Sequence, residues 1–122
     1  MFALTHSDRY FFYNGITDMR KSFDGLCGIV SSQLHRNPMS GEVFVFINKS
    51  RNRIKILRWE PGGFVLYHKR LESGTFELPA YNTSSNSYSM SWDVLVMMIE
   101  GIALKYIKKR RRFIEPKIAQ TP

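Results

Sequence analysis

Five basic side chains crowd one short stretch of this chain. Lys49, Arg51, Arg53, Lys55 and Arg58 bracket a turn between two apolar runs. Arg51, Arg53 and Lys55 recur at every second position, which on a strand puts all three on one face. Lys69 and Arg70 follow at a distance that suits a neighbouring strand. Cations spaced this way neutralise phosphates, and a two-stranded basic ribbon fits a DNA groove or follows a phosphate backbone. Trp59 and Tyr67 lie in the same stretch and could offer ring faces to an unpaired base. The bland alternative is that these charges solvate one sheet face and discourage edge-to-edge pairing.

Bond-cutting chemistry is poorly provided for. A two-metal nuclease needs carboxylates gathered around ions ~4 Å apart. The aspartates here are Asp8, Asp18, Asp24 and Asp93, and Asp18 and Asp24 are six apart, on different sides of any helix they share. Glu42, Glu60, Glu72, Glu77 and Glu100 fall mostly at turns or element ends. The single cysteine, Cys27, excludes an internal disulfide and sits on the apolar stripe of a helix, the place of a core thiol and not a nucleophile. His6, His35 and His68 are scattered, and no glycine-rich phosphate loop occurs. The residues therefore predict a protein that is not an enzyme and holds no metal or cofactor.

The elements that must position these groups follow from periodicity. A chain of 122 residues is most simply one domain, large enough to bury roughly 65% of its unfolded surface. Tyr10, Phe11, Phe12 and Tyr13 form an aromatic strand closed by Asn14 and Gly15. Thr17 stands as an N-cap, with Asp18 in the first turn; Met19, Phe23, Leu26, Cys27, Val30 and Leu34 then predict an amphipathic helix over 18–35. Arg20 and Asp24 are spaced to pair on its wet face. Gly25 and Gly28 weaken it and suggest a close backbone approach to the sheet or another helix.

Residues 43–47 are apolar on both faces and read as an interior strand. Residues 54–59 and 64–71 make two more, joined by Glu60, Pro61, Gly62 and Gly63, with proline and glycine in the second and third turn positions. Thr75, Phe76, Glu77 and Leu78 read as a further strand, stopped by Pro79. Asn82 to Ser89 hold seven Asn, Ser or Thr in eight positions and read as a flexible loop. Ser91 then caps a second helix, with Trp92, Leu95, Ile99, Ile102 and Tyr106 as its stripe. Val94, Val96, Met97 and Met98 make this helix apolar nearly all round, so it is either buried on several sides or docks a partner through Met97 and Met98. The expected fold is α+β: an antiparallel meander sheet of four to five strands, packed by an N-terminal amphipathic helix and a C-terminal helix. Residues 1–104 form the single domain, with the Ser/Asn loop at 80–90, and 105–122 a basic tail.

Charge sharpens this division. The net charge is +8, yet Lys105, Lys108, Lys109, Arg110, Arg111, Arg112 and Lys117 against Glu115 give residues 105–122 a net +6. Such asymmetry suits a polyanion and also suits a solubilising extension. The N-terminus has no basic-then-apolar signal pattern, and no apolar run approaches the ~18 residues of a membrane span. The chain reads as cytoplasmic, with no membrane partner.

The run Thr17, Asp18, Met19, Arg20, Lys21, Ser22, Phe23, Asp24, Gly25, Leu26 resembles the TDMRKGFDGL signature of second-frame accessory proteins, the TnpB type, of bacterial insertion sequences of the IS-sixty-six (IS66) family. These are distinct from the RNA-guided nucleases of similar name. The resemblance continues through Gly41, Val43 to Asn48, Arg51, Arg53 to Lys55, Leu57, Trp59, Gly63, Phe64, Leu66, Lys69 to Glu72, Gly74 and Phe76, then Ser91, Trp92 and Glu100 to Ile102. It covers most of residues 5–102. Ser22 departs from the family's glycine, the Asn/Ser stretch around residue 85 is not part of the pattern, and the basic tail from Lys105 onward lies outside the match. The resemblance implies a role in transposition of a mobile element, beside a separately encoded transposase that carries the acidic catalytic residues. It supplies no catalytic residue for this chain. The expected partners are DNA at the element's ends, that transposase and a second copy of the chain. A pure protein adaptor without DNA affinity and a cryptic metal-dependent nuclease stand as the alternatives.

Overall fold

The computed structural model describes residues 4–78 and 87–101. Seven elements follow in chain order: β1 Tyr10–Ile16, α1 Phe23–Ser32, β2 Val43–Ile47, β3 Arg53–Glu60, β4 Gly63–Arg70, β5 Ser87–Met90 and α2 Trp92–Glu100. The strands form one sheet in the order β4-β3-β2-β1-β5. A residue pattern that is apolar on both faces needs cover on both, and β2, with all five residues buried, lies at the sheet centre.

Alternation divides the sheet into two faces with separate cores. Phe11, Phe44, Phe46 and Leu57 pack against Leu26, Val30 and Leu34, the buried stripe of α1 and the turn after it. Tyr10, Phe12, Val43, Val45, Ile47, Ile54 and Ile56 pack on the other face against Leu95 and Met98 of α2, together with Phe76 and Met90. The sheet is thus a middle layer between two helices. The turn between β3 and β4 has the proposed chemistry: Glu60 pairs with Gly63, and Gly62 holds a φ of +92°, a conformation that glycine adopts without strain.

The α+β class and the two packing helices stand, but the sheet is mixed. β2, β3 and β4 form the antiparallel meander, whereas β1 runs parallel to β2, with Tyr10 opposite Val43 and Phe12 opposite Val45. A parallel pair needs a crossover, and α1 supplies it. Strand β1 runs past Asn14 and Gly15 to Ile16, so that dipeptide does not turn the chain. Helix α1 starts five residues later than expected and its N-cap is Ser22. Thr17 instead continues the sheet, its N–H donating to the Ile47 carbonyl at 3.0 Å, and its buried hydroxyl finds no partner among the described residues. Arg20 precedes the helix and pairs with Asp18 at 2.6 Å, not with Asp24.

Three further expectations are corrected. Residues 75–78 are not a strand; Phe76 is buried in the core and its N–H donates to the Arg51 carbonyl at 2.6 Å. Ser87–Met90, inside the stretch read as a loop, is a strand that closes the sheet beside β1, with Met90 opposite Tyr10. Neither helical glycine marks a close approach: a methyl group on Gly28 would meet nothing within 4 Å, and one on Gly25 only the flexible Lys21 side chain. The expectation of an N-cap at Ser91 holds, its hydroxyl accepting from the Val94 N–H at 3.2 Å. Helix α2 ends at Glu100, with Gly101 at a φ of +79° as its C-cap, short of the expected stripe; Ile102, Tyr106 and the basic tail lie outside the described residues.

Candidate nucleic-acid interface

Three segments converge where β1 and β2 end. The loop 17–22 leaves β1, the turn 48–52 leaves β2, and β3 begins and β4 ends beside them. The turn is built by Asn48, whose carboxamide oxygen accepts from the N–H groups of Asn52 and Arg53, both at 3.0 Å, and whose NH2 donates to Asn52 Oδ1 at 2.8 Å. Arg51 takes a φ of +58° there, a left-handed conformation that costs a non-glycine residue about 1 kcal/mol. Its carbonyl is tied to Phe76 and the Asn52 carbonyl to the Leu71 N–H at 2.8 Å, which offsets that strain and holds the turn in one shape. Lys49 and Arg51 are exposed on this turn.

Beyond the turn, Arg53 lies opposite Arg70 and Lys55 opposite His68, all on the α1 face of the sheet. Arg53 is half-buried, while Arg70 is 57% exposed and paired with Glu72 at 2.9 Å. Lys55 is different: it is 6% exposed, and its ammonium donates to the carbonyls of Met19 at 2.9 Å and Lys21 at 2.6 Å. Burial lowers its pKa, and Arg53 lowers it further. His68, exposed beside these groups, is also lowered, by desolvation first and then by Lys55, Arg53 and Arg70. Desolvation acts first on the charged imidazole, and the three cations add a positive potential to it.

The remaining sequence candidates are placed elsewhere. Arg58 is on the α2 face and donates to both oxygens of Asp8, at 2.9 and 3.3 Å, with only 21% of its side chain exposed. Lys69 donates to the Ile99 carbonyl at 2.8 Å, at the negative end of α2's dipole. Both are occupied in holding the fold. Trp59 packs edge-on to Phe64 with ring centroids 5.0 Å apart, six residues or about 20 Å along β3 from the basic turn. Tyr67 is on the opposite face, partly buried against the α2 core. The two rings therefore share no surface with each other. Met98 is fully buried in the core, and Met97 is half-buried. Lys108, Lys109, Arg110, Arg111 and Arg112 lie outside the described residues.

Of the candidates, Lys49, Arg51, Arg53 and Arg70 share the sheet end. Arg20, Lys21 and His68 join them there and were missed. Arg20 and Lys21 were read as part of a helix; His68 was legible, since it alternates with Arg70 on one strand face. Of the acidic groups nearby, Asp18 and Glu72 are each paired with an arginine, and Asp24 stands exposed in the first turn of α1. Arg20 draws the exposed Asp18 carboxyl down to a pKa of about 2 through side-chain and backbone hydrogen bonds. Among the described residues no group of three or more His, Cys, Asp or Glu could hold a metal ion, and no helix is long and apolar enough to cross a membrane. A cavity of about 430 Å³ between β4, Leu4 and Ile99 is lined mostly by apolar side chains, with Glu60 at its edge.

The fold and this site define a small basic α+β protein, one sheet between two helices with several exposed cations gathered at one sheet end. Its kinship is specific: the chain belongs to the IS66 Orf2-like family, whose pattern matches residues 8–109 and so takes in Lys105, Lys108 and Lys109, which were expected to lie outside the resemblance. It is similar to two uncharacterized proteins of Sinorhizobium fredii. One, y4jC, is 30% identical over 93 residues, covering 76% of this chain and 78% of the relative. The other, y4hO, is 38% identical over 95 residues, covering 77% and 80%. No solved structure matches.

Proposed function

We propose that this chain is a non-catalytic accessory factor for transposition of its insertion sequence. It binds DNA at the element's ends through the cationic end of its sheet and through the basic tail, and it assembles with the separately encoded transposase. The domain is residues 1–104 and the tail 105–122, working in the cytoplasm. Family membership supports the transposition role. The observation that carries the DNA reading is the rigid turn 48–52, which holds exposed Lys49 and Arg51 next to Arg53 and Arg70. Pre-organised cations lose little freedom on meeting a phosphate backbone, and the counterions they release make binding salt-dependent.

The test is an anisotropy titration of labelled duplexes carrying the element's terminal repeats, over a range of salt, with the full chain and with Lys49→Glu/Arg51→Glu. Salt-sensitive binding that the double variant weakens supports the proposal. No salt-sensitive binding by the full chain, together with co-purification of the transposase, replaces it with a pure protein adaptor.

A further inference from the structure

We infer that the loop 17–22 forms the second half of the phosphate-binding surface, with Arg20 and Lys21 as its contacts and Lys55 as the residue that positions it. This rests on the DNA reading above and adds to it three residues' roles: two contacts absent from the basic hairpin, and a buried lysine that acts through them.

Loop 17–22 is tethered at three points. The Thr17 N–H is bonded to Ile47, which pins the loop's start to the end of β2. Asp18 closes a turn, its carbonyl accepting from the Lys21 N–H at 3.0 Å and its carboxylate from the Arg20 N–H at 2.9 Å. Lys55 then draws the carbonyls of Met19 and Lys21 toward the sheet. These two carbonyls flank Arg20, whose side chain is 91% exposed, and Lys21 is exposed beside it. The Arg20–Asp18 pair lies in solvent, where such pairs contribute little, so the guanidinium can exchange the carboxylate for a phosphate.

Charge points the same way. The Lys55 ammonium donates to two neutral carbonyls, and the Asp18 carboxylate of the same loop, itself paired with Arg20, offsets only part of its positive charge. Helix α1 begins at the same loop with no side-chain cap from Ser22, and the positive end of its dipole beside Lys21 is partly offset by Asp24 in the first turn. The loop, the turn, Arg53 and Arg70 follow the ends of β1, β2, β3 and β4, four adjacent strands spanning roughly 15 Å. A row that long exceeds any single anionic side chain. It suits a repeating polyanion, the sugar-phosphate backbone of DNA.

The experiment uses the full chain and a labelled terminal-repeat duplex, comparing wild type with Arg20→Ala/Lys21→Ala, Lys55→Met and the triple variant. Losing two phosphate contacts should flatten the logarithmic salt slope by about 1.8, so the double variant loses about tenfold less affinity than wild type between 50 and 200 mM salt. Lys55→Met should weaken binding, and adding Arg20→Ala/Lys21→Ala to it should cost less than the same pair costs in wild type, a coupling that simple destabilisation does not produce. Should Lys55→Met fail to fold, the Arg20/Lys21 pair alone decides. Unchanged affinity and slope for that pair, with binding still lost in Lys49→Glu/Arg51→Glu, overturns this inference and leaves the DNA reading standing. Absence of DNA binding by wild type, or binding to an acidic protein partner only, overturns both.

Discussion

The ammonium of Lys55 donates at 2.9 Å to the carbonyl of Met19, thirty-six residues earlier in the chain. A lysine expected on a wet strand face thus serves as a bracket between the sheet and the loop that enters α1. Its removal should show first as stability. Lys55→Met keeps the apolar stem and leaves the Met19 and Lys21 carbonyls without their donor, a loss of about 1–2 kcal/mol in urea unfolding. Hydrogen exchange should quicken selectively over residues 17–22. Uniform quickening across the whole chain would refute the bracket.

Asp8 and Arg58 form the second long-range tie, with both carboxylate oxygens engaged and both side chains mostly buried. Breaking a charged pair of this kind leaves the survivor poorly solvated. Arg58→Ala should cost about 2 kcal/mol, and the cycle with Asp8→Ala should return a coupling of at least about 0.5 kcal/mol. Strict additivity in thermal or urea melts would show that the pair contributes nothing specific.

Acid stability should depend on Glu42. Arg36 holds its carboxylate in a two-pronged contact at 2.8 Å, and this hydrogen bonding lowers the pKa below 4.5, with Ser40 and Arg9 adding to it. A carboxyl depressed in the folded state contributes stability that is present above 4.5 and disappears as pH falls through the folded value. Glu42→Gln should therefore be less stable than wild type at neutral pH, and the gap should close as pH drops below 4.5. A gap that stays constant to low pH would contradict this.

His68 offers a spectroscopic reporter of the sheet end. It faces Lys55, Arg53 and Arg70, and its pKa is lowered from 6.5 by desolvation and by those cations. Stability linked to it is present above 6.5 and lost as pH falls toward the folded value. A phosphate bound among the same cations opposes their field. The His68 resonances should therefore titrate at higher pH in the DNA complex, and binding should tighten as pH falls below 6.5. An unmoved titration would place the DNA elsewhere.

Gly28 gives a test of the opposite sign. It sits in the interior of α1, exposed, with open space where a methyl group would go. Gly28→Ala should raise stability by about 0.5–1 kcal/mol, because alanine loses less backbone freedom on entering a helix. A destabilised variant would reveal a contact that the fold does not otherwise show.

Much of this architecture is legible in local pattern. The apolar run at 43–47 demanded cover on both faces and received it, since side-chain alternation depends only on the strand itself. Pro61 and Gly62 specified their turn for the same local reason, and Ser91 its cap. Family kinship was also visible along most of the chain. The helix start was misread because Thr17, Asp18 and Met19 satisfy the cap and stripe pattern equally well in a loop, and the Ile47 carbonyl claims the Thr17 N–H. Strand β5 was misread because Ser and Tyr at 87–90 carry a polar composition that only pairing with β1 orders.

Sequence alone therefore determined which stretches alternate, which turn, where positive charge accumulates and which family the chain joins. Tertiary structure decided the parallel pairing of β1 with β2, and with it the gathering of loop 17–22, turn 48–52 and Arg70 at one sheet end. Among the described residues it also set basic side chains that hold the fold, Lys55, Arg58, Lys69 and Arg36, apart from those that face solvent, such as Lys49, Arg51 and Arg20. The physical reason is range. Periodicity and turn chemistry act within a few residues, whereas a buried cation is tolerable only if distant carbonyls or carboxylates arrive to accept its protons.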